Sequence, residues 1–285
     1  MSTNNKKLEE LRAEVDRLDD ELLKVLEKRI AIVNDIAAAK KDDGSALAFR
    51  PGREANVIRS RLEKHTSHMA DAIVARIWRE IISAACRMQK PMSVSVTAPE
   101  KSVGYWDLAR NHFGSATPMA IHKSPTVVLR EVSSDPTILG VLPWRNLEQD
   151  TWWEHLAQGG DSVPKILAAL PFTQNGTGKF EDLNALVIGQ TKPEASGDDV
   201  SLFVIVAKEE LSRARLNETL EKVGLPGHCL DSRSPAAEEG DWLHLFEVPD
   251  FLTDDDKRLL AFVETLGDNV IKTVILGAYA VSVDG

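Results

Sequence analysis

The sequence of 285 residues predicts a multidomain protein with an all-α N-terminal domain, an α/β segment and a C-terminal α+β domain. Three observations support this prediction. Apolar residues recur at three- and four-residue steps from position 8 to position 40, as on one face of a helix. After Pro91 the pattern changes to short strand-like runs. From Val200 onward, predicted strands and helices follow in the order βαββαβ, which is typical of a ferredoxin-like split unit.

The composition is that of an ordinary soluble globular protein, with 43% hydrophobic and 27% charged residues. No apolar run approaches the roughly 20 residues that span a bilayer, and the N-terminus lacks the apolar stretch of a secretory signal. The two cysteines, Cys86 and Cys229, offer neither a disulfide framework nor a metal-type spacing. We therefore expect a cytoplasmic protein with no membrane partner.

The net charge of −10 is unevenly distributed. Residues 1–97 carry 18 Lys and Arg against 15 Asp and Glu, and the remainder carries 16 against 29. No Lys/Arg cluster is free of acidic residues, which argues against a nucleic-acid surface. A mildly positive first segment in an acidic protein is compatible with a site for a small anionic molecule.

Three helices are predicted in the N-terminal domain. The first covers residues 8–40 without Gly or Pro, and this length suggests an intertwined helical assembly. "KDDGSALAFRPG" then interrupts the pattern. The second helix is predicted from about Arg53 to Lys64 and the third from about Met69 to Gln89, with Pro91 ending the helical region.

Two cations lie on the apolar face of the first helix. Arg29 falls on the apolar stripe, and Lys40 follows eleven residues later, on the same face and roughly 16 Å away along the axis. At 100° per residue Arg12 turns off this face, so we expect it to serve a site on another chain or another helix. Because an unpaired buried cation costs several kcal/mol, an anion should meet these groups, unless they reach water or pair with nearby acids.

Further polar residues follow in "FRPGREANVI", which contains Arg53 and Glu54, and at Gln89, which ends the third helix. Each alone is a weak signal. Together, the order "LEELRAEVDRLDDELLKVLEKRIAIVNDIAAAKK", "RPGRE" and "IWREIISAACRMQ" resembles the all-helical (AroQ-class) chorismate mutase domain over residues 8 to about 90. The resemblance implies an intertwined helical homodimer in which each site receives one arginine from the neighbouring chain. Arg12 matches that donated residue.

The resemblance also implies the reaction and its substrate. Chorismate is a dianion that rearranges to prephenate in one unimolecular step, so no cofactor and no metal are expected. The enzyme must hold the compact conformer with pre-placed cations and hydrogen-bond donors in a dry site. Carried over by the resemblance, Arg12 of the partner chain and Arg29 would bind carboxylates. Lys40 would donate to the ether oxygen and to a carboxylate.

The remaining site residues implied by the resemblance lie on the second and third helices. Gln89 would donate to the ether oxygen from the other side, and Glu54 would accept a hydrogen bond from the ring hydroxyl. Arg53 would contact a carboxylate or add positive potential. The sequence departs from the family at two secondary contacts, where Ala85 and Arg50 stand for a serine and an aspartate. We expect these changes to tune the activity and not to abolish it.

The middle segment is predicted to contain strand-like runs in "MSVSVTAPEKSVGYW", "TILGVLP" and "NALVIGQ", a helix near Trp106–Phe113, and a linker in "TKPEASGDD". "SVGYWDLARNHFG" and "TILGVLPWRN" resemble prephenate dehydratase more faintly. The Thr-Arg-Phe motif of that family is replaced by Asn184, Ala185 and Leu186, and only 44 residues separate Val141 from Ala185. We therefore predict a truncated, degenerate dehydratase-like domain without dehydratase activity, or a structural spacer.

The C-terminal segment resembles an ACT domain. The predicted strands cover 201–207, 228–231, 242–248 and 271–280, with helices over 211–223 and 254–266. Where the family's ligand loop has small residues, this sequence reads Arg213, Ala214, Arg215 and Leu216. This departure argues against a phenylalanine site. It leaves open another amino-acid effector, or a structural and dimerising role.

These predictions give three domains: 1–92 (mutase), 93–192 (dehydratase-like) and 199–285 (ACT-like). The predicted function is chorismate mutase, with C-terminal domains that are non-catalytic or regulatory. Two alternatives stay open. One is a bifunctional chorismate mutase–prephenate dehydratase, and the other is a non-enzymatic effector-binding or scaffold protein that keeps the helices for dimerisation.

Overall fold

A computed structural model describes residues 3–39, 44–98, 104–144, 151–160, 162–173, 183–235 and 240–283. The chain divides into two compact units, Met1–Ser45 and Ala46–Gly285. The second unit therefore includes the second and third helices of the predicted mutase domain together with the whole sheet. The predicted boundaries of the three domains remain predictions.

The first unit contains one helix, α1 (Thr3–Ala39), which confirms the predicted long helix. Its described part ends one residue before Lys40, which lies outside the described residues. Most of its large apolar side chains are exposed: Leu8, Leu11, Val15, Leu18, Leu22, Leu23, Val25, Ile32 and Ile36. A contiguous apolar face of this extent is typical of an interaction surface.

The second unit begins with α2 (Pro51–Lys64) and α3 (Asp71–Gln89), close to the predicted helices. Pro51 occupies the first turn of α2, where its fixed φ favours helix initiation. The two helices pack through a small apolar cluster that includes Ile58, Ala75 and Ile82. Phe172, which follows β4 in the sheet, belongs to the same cluster.

The described residues form one nine-stranded sheet in the order β2-β1-β3-β5-β4-β9-β6-β8-β7. The strands are β1 (Ser93–Thr97), β2 (Met119–His122), β3 (Ile138–Pro143), β4 (Lys165–Leu170), β5 (Ala185–Gly189), β6 (Asp199–Ala207), β7 (His228–Arg233), β8 (Trp242–Val248) and β9 (Val270–Ala280). The helices of this region are α4 (Gly104–Phe113), α5 (Pro125–Ser134), α6 (Trp153–Leu156), α7 (Arg213–Lys222) and α8 (Lys257–Leu266).

The first half of the sheet combines parallel β2-β1-β3 pairing with antiparallel β3-β5-β4 pairing. Helix α4 packs its Leu108 and Phe113 against buried strand residues in one apolar cluster. Val128 of α5 and Trp153 of α6 belong to a second cluster with residues of β3, β4 and β5. Strands β3, β4 and β5 are nearly continuous apolar runs because both of their faces are covered.

The two halves of the sheet meet between β4 and β9, where Ile166 pairs in parallel with Gly277. Gly277 has φ 144°, a region that favours glycine. A Cβ atom at this position would lie 2.1 Å from the carbonyl oxygen of Ile166. Glycine is therefore required for this close approach of the two backbones.

The second half of the sheet has the predicted βαββαβ order, with β9-β6-β8-β7 as neighbours. Phe203 and Phe246 stack with ring centroids 4.6 Å apart, and the Phe262 ring of α8 meets both edge-on. Asp256 caps α8 by accepting hydrogen bonds from the backbone N–H groups of Arg258 and Leu259. This half therefore has its own buried apolar cluster.

The interpretation of "TKPEASGDD" as a linker is wrong, because its Glu194–Asp199 stretch is packed against α2. The guanidinium of Arg59 donates to Ser196 Oγ and to the Asp198 carbonyl, both at 2.9 Å. Arg50 pairs with Glu194 at 2.7 Å. The buried Asp199 carboxylate accepts from the backbone N–H of Ser196 at 2.8 Å. These contacts satisfy the polar groups of a turn-rich stretch and hold it in place.

Candidate functional site

The six predicted site residues lie in both units of the structure. Arg12 and Arg29 lie on α1, Arg53 and Glu54 in the first turn of α2, Gln89 at the end of α3, and Lys40 outside the described residues.

The two arginines of α1 differ in exposure. Arg12 is exposed, whereas Arg29 is half-buried. The Nη1 atom of Arg29 is buried, with no hydrogen-bond partner among the described residues. A buried N–H group without an acceptor costs about 1–3 kcal/mol. An anionic ligand that accepts from Arg29 would remove this cost.

Glu54 is buried in the second unit, with 7% of its surface exposed. Its Oε2 accepts from Nη1 of Arg79 at 2.9 Å, and the Cys86 thiol lies 3.7 Å from its Oε1. Burial raises the pKa of Glu54, and the charge of Arg79 opposes this effect. Burial also lowers the pKa of Arg79, against the charge of Glu54. The carboxylate is thus held in one orientation by a buried ion pair.

Sequence reasoning did not identify Arg79 as a functional residue. It lies on the apolar face of α3, four residues after Ala75 and three before Ile82, both of which are buried. This is the same signal that singled out Arg29, a cation on an apolar stripe. The guanidinium also lies over the Phe172 ring, 5.1 Å from its centroid.

Gln89 is half-buried, and its Nε2 donates to the Ala85 carbonyl at 3.1 Å. The structure brings the end of α3 close to Glu54, because Cys86 lies one turn before Gln89 and contacts that carboxylate. Arg53 is exposed beside Glu54 in the sequence. The second unit therefore presents an acceptor, an amide donor and a cation near the start of α2 and the end of α3.

The described parts of the chain have neither a metal-binding cluster nor a membrane-spanning helix. No group of three or more His, Cys, Asp or Glu side chains is arranged to hold a metal ion. Among those same residues, none of the helices combines the length and apolar character needed to cross a membrane.

Comparison with known proteins defines the class of the first part of the chain. Residues 11–90 match the protein family described as "Chorismate mutase type II". The chain thus contains a chorismate mutase type II domain at its N-terminal end, which confirms the resemblance found in the sequence. All six predicted site residues fall within the matched segment.

Similar curated proteins carry the name bifunctional chorismate mutase/prephenate dehydratase. The protein of Pseudomonas aeruginosa is 34% identical over 146 residues, covering 49% of this chain and 39% of the relative. The protein of Stutzerimonas stutzeri is 28% identical over 143 residues, with the same two coverages. This chain therefore spans about two-fifths of the length of the curated relatives it matches.

The sheet region is similar to a solved prephenate dehydratase. The crystal structure of the enzyme from Staphylococcus aureus superposes with a TM-score of 0.50 at 14% sequence identity. The match covers 66% of this chain and 100% of that chain. At this identity the likeness concerns the fold alone. It confirms a mixed α/β sheet domain of the dehydratase type after the helical region.

Proposed function

We propose that this protein is a chorismate mutase, which rearranges chorismate to prephenate, with C-terminal domains that are non-catalytic or regulatory. The observation that carries the proposal is the family match over residues 11–90, which includes every residue predicted for the site. A scaffold that keeps these helices only for dimerisation has no need for this polar set at these spacings.

The proposed mechanism uses charge and orientation. Chorismate needs no nucleophile for its rearrangement, so catalysis consists of holding the reactive conformer and stabilising charge on the breaking ether oxygen. Arg29, and Arg12 of a second copy, bind the carboxylates through their guanidinium groups. Lys40 and Gln89 donate to the ether oxygen. Glu54, fixed by Arg79, accepts from the ring hydroxyl.

We further propose a homodimer formed through α1. The exposed apolar face of α1 in the single chain supports this proposal, because a second copy would cover it. Arg12, exposed on this helix, would then be delivered to the neighbouring site. Sedimentation equilibrium should give twice the chain mass of 31.4 kDa. A monomer that turns over chorismate would contradict the shared site.

The middle domain is proposed to lack dehydratase activity. Ala185 and Leu186 stand where that family carries Arg and Phe of its motif, and both are buried strand residues of β5. Side chains in the core cannot present catalytic groups to a cleft. The bifunctional alternative is favoured by the names of the curated relatives, so the product assay below includes it.

The C-terminal region, residues 199–285, is proposed to be an ACT-like module without a phenylalanine site. The βαββαβ order and the β9-β6-β8-β7 arrangement support the ACT-like assignment. Arg213, at a position of small residues in that family, reaches Asp231 at 3.3 Å. Its side chain would occupy space that a ligand needs next to the backbone.

The test is a chorismate-loss assay on the purified full chain, with products measured before and after acid treatment, which converts prephenate to phenylpyruvate. Phenylpyruvate only after acid supports a monofunctional mutase. Phenylpyruvate before acid favours the bifunctional enzyme. No loss of chorismate refutes the proposal and favours the scaffold.

Lys40→Ala is the decisive variant for the site. We expect its turnover to fall by about 10²-fold or more, as for removal of one oxyanion-type donor. Lys41→Ala is the matched control, because it removes the neighbouring lysine and should keep near-normal turnover. Equal turnover in Lys40→Ala and the unchanged protein would refute the assigned role of Lys40.

A further inference from the structure

A small cavity lies in the second unit between α3, α4 and the end of β4. Its volume is about 60 Å³. Arg76 and Arg79 of α3 line it, together with Asn111 and His112 of α4, and its walls are otherwise largely apolar. None of the five predicted mutase residues that the structure describes lines it.

His112 gives the cavity an unsatisfied polar group. The residue is buried, with 6% of its surface exposed. Its Nε2 atom is buried and has no hydrogen-bond partner among the described residues. Burial, and secondarily the charge of Arg79, hold the pKa of His112 well below its usual value near 6.5. The imidazole is therefore neutral at neutral pH, and its Nε2 lacks a hydrogen-bond partner among the described residues.

The charges around the cavity favour an anion. The charged residues that line it are Arg76, exposed at the rim, and Arg79, which is 5% exposed. Glu54 balances the charge of Arg79 from outside the lining. The residues contributed by β4 and the segment after it, Leu170 to Thr173, carry no charge. Among the described lining residues, the charge of Arg76 has no acidic partner, which matches a monoanion.

The size and the walls restrict the ligand further. The cavity is small beside the roughly 150 Å³ cavity that binds benzene in another protein, so only a compact group of a few non-hydrogen atoms fits inside it. Leu108 and the Phe172 ring offer apolar surface beside the cationic end. A compact molecule with one anionic end and a short apolar end fits both features.

We propose that this cavity binds a small aliphatic monocarboxylate, with its carboxylate between Arg76 and Arg79, accepting from His112 Nε2–H, and its apolar end against Leu108 and Phe172. The cavity is lined by none of the described residues predicted for the substrate site. It shares one residue with the machinery of that site, because Arg79 contacts the cavity and also holds Glu54.

This shared arginine gives the ligand a regulatory role, a consequence that rests on the proposed mutase function. A carboxylate in the cavity competes with Glu54 for the guanidinium of Arg79. The Glu54 carboxylate then loses part of the interaction that fixes its orientation, and we expect chorismate turnover to change when the cavity is filled.

The binding test uses propionate as the probe and the full chain as the protein. The His112 imidazole Cε1–H signal is followed by NMR at neutral pH while propionate is added, with sodium chloride keeping the ionic strength constant. We expect a saturable shift of this signal with a Kd on the order of 1 mM, as for a very small ligand. Propionamide, of the same shape without the charge, should produce no saturable shift.

Two variants and one control decide whether the shift reports the cavity. Arg76→Gln should weaken propionate binding by about tenfold, because one charge-assisted contact is lost. Ala72→Leu places a larger side chain on the cavity lining and should abolish the shift while the fold is kept. Arg130→Gln, which removes an exposed arginine of α5, should bind as the unchanged protein does.

The outcomes separate this proposal from the proposed function. No saturable shift, an equal shift with propionamide, or undiminished binding in Ala72→Leu overturns the carboxylate site, whatever the enzyme does. If propionate binds, the variants Arg76→Gln and Ala72→Leu behave as expected, and the protein does not consume chorismate, the carboxylate site is supported and the mutase proposal is refuted. If chorismate is consumed, propionate should change its turnover, and this change should need higher propionate concentrations in Arg76→Gln than in the unchanged protein. Such a result supports the link through Arg79. A turnover unaffected by saturating propionate refutes that link.

Discussion

The buried ion pair between Glu54 and Arg79 allows a quantitative test of how the second unit is stabilised. Replacing Arg79 by Leu removes the cation that lies 2.9 Å from a carboxylate with 7% of its surface exposed. The leucine retains apolar contact with Phe172 but leaves Glu54 without its charged partner. Breaking a buried pair in this way costs about 3–5 kcal/mol of unfolding free energy.

The effect should depend on pH in a defined direction. Burial raises the pKa of Glu54 above its usual 4.5, and loss of Arg79 removes the opposing charge. A carboxyl whose folded-state pKa is raised contributes stability below its unfolded pKa and loses it as the pH rises through the folded pKa. The deficit of Arg79→Leu should therefore be small near pH 4 and reach its full size at neutral pH.

Urea denaturation monitored by tryptophan fluorescence measures this effect, since Trp78 packs against the same apolar cluster. The double variant Glu54→Met/Arg79→Leu should recover to within about 1 kcal/mol of the unchanged protein, because no buried charge remains. Lys222→Leu, which breaks an exposed pair with Glu218, should cost far less than Arg79→Leu. A pH-independent loss in Arg79→Leu no larger than that of Lys222→Leu would refute this reasoning.

Three further predictions concern the sheet and its helices. Gly277→Ala should lower the unfolding free energy by about 3 kcal/mol, measured in urea, because the new Cβ meets the Ile166 carbonyl; Gly197→Ala, with open space around its Cβ position, is the control for glycine replacement at positive φ. Asp256→Ala should cost about 1 kcal/mol through loss of the α8 cap, seen as a lower melting temperature by calorimetry; an unchanged melting temperature would contradict the capping role. Burial lowers the pKa of His244 to about 4, so the unfolding free energy should decrease as the pH falls from 6.5 towards 4. In His244→Gln this decrease should be smaller, and a decrease as steep as that of the unchanged protein would contradict the role of His244.

The parts of the fold that the sequence predicts well have strong periodic patterns. Helix α1 repeats its apolar residues without Gly or Pro, and the C-terminal strands are apolar runs separated by amphipathic helices. Four elements were not predicted: β2, α5, α6 and β4. Strand β2 has only four residues and no fully buried one, and α6 is a single turn, so neither carries a readable period.

The error over "TKPEASGDD" has a different cause. Turn-forming residues predict a break in regular structure, and they do not say whether that break is free or packed. Here Arg59 and the Asp199 carboxylate satisfy the backbone of the segment, and these partners lie at positions that local sequence cannot pair. The contact between Arg59 and Ser196 joins residues 137 positions apart.

For the candidate site, the sequence predicted which helices carry the residues but not all of their contacts. Motif order placed Arg53, Glu54 and Gln89 at the helix positions where the structure has them. The partner of Glu54 was not predicted: Arg79 lies within "IWREIISAACRMQ", but the resemblance assigned it no role. Pairing a buried acid with a buried base from another helix requires the relative position of α2 and α3, which sequence periodicity does not give.

The position of Phe172 limits how this protein can be divided or recombined. Its ring lies in the apolar cluster of α2 and α3, with the guanidinium groups of Arg59 and Arg79 at 5.8 and 5.1 Å from its centroid, although it follows a strand some eighty residues further along the chain. A gene fragment that ends at the predicted boundary after residue 92 would encode both helices without the side chain that fills the space between them. Exchange of α2 and α3 between relatives must therefore transfer a matching β4 end with them. Helices α2 and α3 and the end of β4 thus form one packing unit.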